Sequence, residues 1–223
     1  MTLGNENREN FRMIIVHGRT TSSNVQIAMW AIGELGLPHR RLDVGGSFGG
    51  NDTPEYLAMN PNGLVPTIQD GDLTMFESAA ILRYLGAKYA SEPFWPKDAG
   101  QRARLDQWAE WGRTSFTPPM AQIFGQLVRT RESDRNATTI ASLEAQLRRL
   151  AGIADRRIGE GPWLAGADFT FADIPFAHQL YRYFTMPFDK AETPNLVAYY
   201  ERLKARAPFA EHAMVSYEPL RAK

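Results

Sequence analysis

Apolar and polar positions change period several times in the first ninety residues. Residues 13–16 form a short apolar run suited to a buried strand. Val25, Ala28, Met29, Ile32 and Leu35 then recur at helical spacing, and Gly36 supplies a stop. Residues 39–44, HRRLDV, read as a second strand, followed by the loop GGSFGG. A short helix comes next, with Thr53 as its cap and Pro54 at its first position, and Asn60-Pro61 ends it. VPTIQDGDLTMFES reads as a hairpin turning at Asp70-Gly71. Ile81, Leu82, Leu85 and Tyr89 mark a further helix. The order βαβαββα predicts a small mixed sheet with helices on its faces: one crossover makes a parallel pair, and the hairpin adds antiparallel strands.

Strand signals largely vanish after the Pro-containing break at residues 90–100. Helices are predicted over 101–127, 133–158, 171–184 and 195–206, so the second half reads as all-α. The expected division is a sheet domain over 12–90, a linker over 91–100 and a helical domain over 101–223, with residues 1–11 a solvated tail. In DFTFADI, Thr170 and Asp173 have capping-box spacing, with Phe169 and Ile174 placed as a staple. That motif reads as structural, and Pro175 just inside it predicts a local distortion.

Composition narrows the chemistry. The 25 basic and 25 acidic residues balance, which leaves no basic footprint for nucleic acid or a membrane surface. Cysteine is absent, so disulfides, thiolate metal sites and a cysteine nucleophile are excluded; a cytoplasmic setting is expected. The start, MTLGNENRENFR, lacks the apolar core of a signal peptide. His17, His39, His178 and His212 show no ligand spacing, so no metal is expected.

Three junctions carry candidate chemistry. Thr20 to Ser23 lie where a strand runs into a helix, whose first N–H groups are unsatisfied and partly positive. A hydroxyl there can cap the helix or donate to an anion. Val65-Pro66 precedes a strand; a cis bond there would free the Val65 backbone to pair with an extended peptide. Glu77-Ser78 opens a helix directly after the hairpin. Its hydroxyl and N–H groups can hold a carboxylate, and Glu77 can hold an ammonium group, together the pattern of an α-amino acid terminus.

In this order the three junctions resemble the glutathione transferase family, its serine-type, phi-like and theta-like bacterial members in particular. GRTTSSNVQIAMWAIGELGLPHR, NPNGLVPTIQDGDLTMFESAAILRYL and the FTFADIP of the helical half carry the resemblance. It implies a thioredoxin-like first domain, an all-α second domain, a cis Val65-Pro66 bond, a homodimer and glutathione as co-substrate. It makes Ser22 the thiol-activating hydroxyl, with Thr21 or Ser23 as alternatives one position away. Asn24 falls near the sulfur, Val65 pairs with the cysteinyl unit, and Glu77 and Ser78 grip the γ-glutamyl end. Leu64 stands where a Lys or Gln often contacts glutathione, which leaves the glycyl end to Arg41 or Asn51. Trp111 and Ser115, on one face of the expected helix, are the candidates for the electrophilic or apolar acceptor. The activated thiolate would attack an electrophilic carbon or a peroxide, and two other readings stand beside that: a glutathione-dependent disulfide reductase, and a non-catalytic carrier of glutathione or an apolar ligand.

Overall fold

The computed structural model describes residues 13–223, and the expected tail lies outside them. Strand β1 (Ile14–His17) enters helix α1 (Ser23–Glu34), and β2 (His39–Leu42) returns parallel to β1. Helix α2 (Pro54–Met59) leads to the hairpin of β3 (Thr67–Asp70) and β4 (Leu73–Phe76), and α3 (Ser78–Tyr89) follows. The sheet order is β2-β1-β3-β4, with β3 antiparallel to both β1 and β4. This is the expected mixed thioredoxin-like sheet. The Thr53 hydroxyl caps α2 by accepting from the Tyr56 N–H at 3.3 Å, with Pro54 inside the first turn.

The second half is helical: α4 (Ala99–Trp111), α5 (Thr117–Phe124), α6 (Ala137–Gly159), α7 (Ile174–Ala177), α8 (Leu180–Thr185), α9 (Pro194–Lys204) and α10 (Ala207–His212). The expected helix over 101–127 is instead interrupted by a π-turn at Gly112–Phe116 and followed by another at Gly125–Arg129. Two causes act at the first. Pro118 and Pro119 have no N–H to donate back to the preceding turn. Gly112 lies against Phe176, whose backbone a Cβ would meet at 2.8 Å. The expected helix over 171–184 is also broken, into a 3-10 turn at Phe171–Asp173, then α7 and α8. Thr170 N–H donates to the Asp173 carboxylate at 2.8 Å, completing the capping box. That carboxylate also accepts from the Leu164 N–H and the Tyr199 hydroxyl, and burial pushes its pKa up to about 6.

Helix α1 lies between the sheet and the helical half, so Val25 to Ile32 are all buried. Trp30 packs against Phe209 and Phe169 and donates to Glu34 at 2.8 Å. Glu34 accepts from Arg206 at 2.5 and 2.9 Å, and the Arg206 guanidinium covers the Phe169 ring at 4.0 Å. These contacts fix α1, and therefore its N-terminus, relative to both halves.

Candidate functional site

Ser22 is the N-cap residue of α1 by position, with φ −78° and ψ 121°. Its carbonyl accepts the first helical bond from Gln26 N–H at 3.0 Å. Its hydroxyl, however, makes no capping hydrogen bond, and the residue is only 9% exposed. A plain cap spends its hydroxyl on the second or third N–H of the helix. Here the hydroxyl and those N–H groups stay available to another partner. The junction is held through its carbonyls instead: Gln26 Nε2 donates to Thr20 at 3.1 Å, and Arg182 Nη2 from α8 donates to Thr21 at 2.9 Å. Thr21 and Ser23 are half-buried, and Asn24 is exposed.

The start of α3 lies beside this junction. The Ser78 hydroxyl is buried and donates to Asn24 Oδ1 at 3.5 Å, joining residues 54 positions apart. Glu77 precedes it with φ 69° and ψ 108°, the one non-glycine residue with positive φ among those described. Its side chain is exposed and does not cap the helix. Such a conformation costs about 1–3 kcal/mol and persists where the surroundings impose it.

The third element is the corner before β3. The Val65-Pro66 bond is cis, as the resemblance implies, and so is Glu92-Pro93, which was not expected. The half-buried Val65 has neither its N–H nor its C=O in a backbone hydrogen bond. A buried side-chain network fixes this corner. Tyr56 OH donates to the Leu64 carbonyl at 2.6 Å and lies 2.9 Å from Thr67 Oγ1. Asn60 Nδ2 donates to the same carbonyl at 2.8 Å. Burial raises the Tyr56 pKa, keeping it a donor.

Leu64 points outward at 65% exposure. Neither residue expected to compensate for it is free. Arg41 donates to the Gly18 carbonyl at 2.8 Å and pairs with Asp43, and Asn51 donates to the Gly63 carbonyl at 2.7 Å.

Trp111 and Ser115 share a cavity of about 330 Å³ with Pro119, Gln122 and Arg149, and no residue at the three junctions lines it. Trp111 packs against Trp108, Phe116 and Phe176. A larger cavity of about 800 Å³, lined by Leu105, Trp108 and Arg156 among others, is also apart from the junctions. No cluster of metal-ligating side chains occurs among the described residues.

Sequence reasoning did not find Arg182, Gln26, Arg19 or Tyr56. For Arg182 a signal was present: a cation inside the aromatic run QLYRYF is either paired or functional once buried. It is 5% exposed, and its pKa falls to about 10 through burial and the neighbouring Arg129.

Comparison with known proteins bears on the whole chain. Residues 21–88 match the family model for the glutathione S-transferase N-terminal domain, and residues 113–207 that for the C-terminal domain. Glutathione S-transferase GstB of Escherichia coli is 32% identical over 205 residues, 91% of this chain and 99% of that protein. Glutathione S-transferase 3 of Zea mays is 32% identical over 87% of this chain and 90% of its own. Among solved structures, a theta class glutathione S-transferase from Xanthomonas axonopodis pv. citri with glutathione bound superposes with a TM-score of 0.86. It is 41% identical, over 91% of this chain and 98% of that one. Both halves thus match the two domains in order, relatives align nearly end to end, and the chain belongs to the glutathione S-transferase family.

Proposed function

We propose that the protein ionises glutathione at the N-terminus of α1 and joins the tripeptide through its sulfur to an electrophilic acceptor. The observation that carries this reading is the buried Ser22 hydroxyl, which occupies an N-cap position without capping. A free thiol has a pKa of about 8.5, and the thiolate is the nucleophile. Lowering that pKa by about two units requires about 2.7 kcal/mol of preference for the anion. One hydrogen bond to a charged group supplies about 1.5–3 kcal/mol. The helix N-terminus adds about 0.3–1 kcal/mol. The two together suffice without a side-chain base, and the thiol proton leaves to solvent.

In this reading the Val65 N–H and C=O pair with the cysteinyl unit as an added strand. Ser78 and the first N–H groups of α3 hold the γ-glutamyl carboxylate, and Glu77 takes its ammonium group. Asn24 borders the sulfur, and its contact with Ser78 ties the two ends of the tripeptide site together. The acceptor approaches from the helical half at the Ser22 end of the cleft, not through the separate cavity of Trp111 and Ser115. No metal takes part. A homodimer working in detoxification in the cytoplasm completes the proposal, supported by the family resemblance. Light scattering tests the dimer: a mass near twice 25.1 kDa agrees with it, and a monomer contradicts it.

Conjugation of glutathione to 1-chloro-2,4-dinitrobenzene, followed by absorbance, tests the activity. Enzyme-dependent turnover supports transfer. Turnover confined to small disulfides favours the reductase, and binding without turnover of either favours the carrier.

A further inference from the structure

Three arginines converge beside the hydroxyl junction, and none of them has a carboxylate partner among the described residues. Arg19 lies three residues before Ser22, and its backbone carbonyl accepts from the Ser22 N–H at 3.2 Å. Its guanidinium runs along the Gly45-Gly46 loop, where a Cβ at Gly46 would meet its Nε at 3.0 Å. Arg182 reaches the Thr21 carbonyl from α8, and its guanidinium covers the Phe124 ring at 4.5 Å. Arg129, exposed at the end of the second π-turn, lies over the same ring at 5.3 Å. The Nε atoms of Arg19 and Arg182 are both buried without a hydrogen-bond partner. Repulsion is already evident: Arg129 adds to the effect of burial in lowering the pKa of both Arg19 and Arg182.

The surrounding charges are otherwise engaged. Glu218 pairs with Arg221, Arg131 donates to the Lys223 carbonyl and Arg135 to the Leu127 carbonyl. Tyr217 packs edge-to-face with Phe124, ring centroids 5.6 Å apart. A buried cation left without a counter-ion is costly, and Arg182 is one; the half-buried Arg19 and exposed Arg129 beside it add charge that an anion would offset. Gly45 and Gly46, both with positive φ, lack the Cβ atoms that would crowd the Arg19 side chain.

We infer that Arg19, Arg129 and Arg182 form an anion site beside the reacting sulfur that selects acceptors carrying a carboxylate. This rests on the transferase reading above. Two of the three arginines come from the helical half, the side from which the acceptor approaches. The chemistry is a displacement: the thiolate sulfur attacks the carbon next to the carboxylate, the S–C bond forms, the carbon–halogen bond breaks, and halide leaves. Guanidinium groups would hold the carboxylate by charge-assisted, fork-like hydrogen bonds and orient the electrophilic carbon.

Iodoacetate and iodoacetamide differ in that charge while offering the same reacting carbon. The test measures enzyme kcat/KM for each, divided by its uncatalysed rate with glutathione, and takes the ratio. Arg129→Gln, an exposed position, and Arg19→Gln are compared with wild type, and calorimetry gives each protein's glutathione affinity. The expected result is a ratio favouring iodoacetate that falls about tenfold in each variant, the size of one charge-assisted hydrogen bond. Turnover of iodoacetamide with no preference for iodoacetate overturns the anion site and leaves the transferase reading intact. A loss of glutathione affinity with the ratio unchanged also overturns it, and assigns the arginines to a carboxylate of glutathione itself. Turnover of neither acceptor while 1-chloro-2,4-dinitrobenzene is still conjugated overturns the anion site alone, and loss of that conjugation as well overturns the transferase reading.

Discussion

Tyr56 OH donates to the Leu64 carbonyl at 2.6 Å, and so α2 holds the corner at which Val65 leaves its backbone unpaired. The bond lies within a buried triangle with Asn60 and Thr67. Tyr56→Phe leaves that carbonyl with Asn60 alone. We expect a loss of about 1–2 kcal/mol in unfolding free energy, measured by urea denaturation. Glutathione affinity should fall with it, because the edge offered by Val65 is no longer fixed. Unchanged affinity would mean that the corner is held by other contacts.

Glu77 gives a test in which two effects have opposite signs. Glycine tolerates positive φ, so Glu77→Gly relieves backbone strain and should raise the denaturation midpoint or leave it unchanged. The same change removes the carboxylate proposed to hold the γ-glutamyl ammonium, so glutathione binding should weaken by about tenfold. Glu77→Gln should weaken binding while retaining the strain. Binding unchanged in both variants removes Glu77 from the site.

His178 is buried in a pattern that suits the neutral ring: Gln179 Nε2 donates to its Nε2 at 2.8 Å, and its Nδ1 faces the Ile174 carbonyl at 3.2 Å. Burial first, and Arg182 second, push its pKa down to about 3. The unfolded chain therefore takes up this proton at higher pH than the folded one. Stability contributed by the neutral ring is present above pH 6.5 and is lost as pH falls toward 3. Asp173, raised to about 6 by burial, acts in the opposite sense, since its folded form takes up a proton first as pH falls from 6 to 4. Chemical denaturation of wild type and His178→Gln from pH 7 to 4 should show the stability difference shrinking with acidity. A constant difference would contradict a buried neutral histidine.

The Glu34–Arg206 pair links α1 to the segment before α10, with Glu34 buried and Arg206 about one-third exposed. Arg206→Ala leaves a buried carboxylate with Trp30 as its remaining partner, and about 2–3 kcal/mol should be lost, less than for a fully buried pair. Arg206→Ala combined with Glu34→Gln should lose less than the two changes summed, as measured by a double-mutant cycle. Simple additivity would show that the pair is not coupled.

Much of the fold was legible because it rests on local rules. Thr53-Pro54 starts α2, Asp70-Gly71 turns the hairpin, and the Thr170/Asp173 box opens the turn before α7. Hydroxyls at 20–23, Val65-Pro66 and Glu77-Ser78 also fall at such junctions, but each alone reads as an ordinary cap or edge proline, and only their order and the family resemblance make them a site. Long-range contacts were not. Arg182 meets Thr21 across 161 positions, and Arg206 meets Glu34 across 172, beyond the reach of any periodicity. The π-turn at Gly112 depends on Phe176 packing where no Cβ intervenes, and the brief α10 was missed beside the stronger pattern of α9. Trp111 and Ser115 do share a helical face, but which cavity that face meets is set by α6 rather than by their spacing.

The proposal depends most on the Ser22 hydroxyl, which is buried at a helix N-terminus and does not cap it. An ultraviolet titration of glutathione bound to wild type and to Ser22→Ala measures its role directly. We predict a thiolate absorbance that persists about two pH units below the free thiol value of about 8.5 and is lost in the variant. Glutathione bound without any lowering of its pKa would contradict thiolate activation and favour a carrier. A lowered pKa that survives Ser22→Ala would contradict the assignment to Ser22 and move the role to Thr21, Ser23 or Asn24.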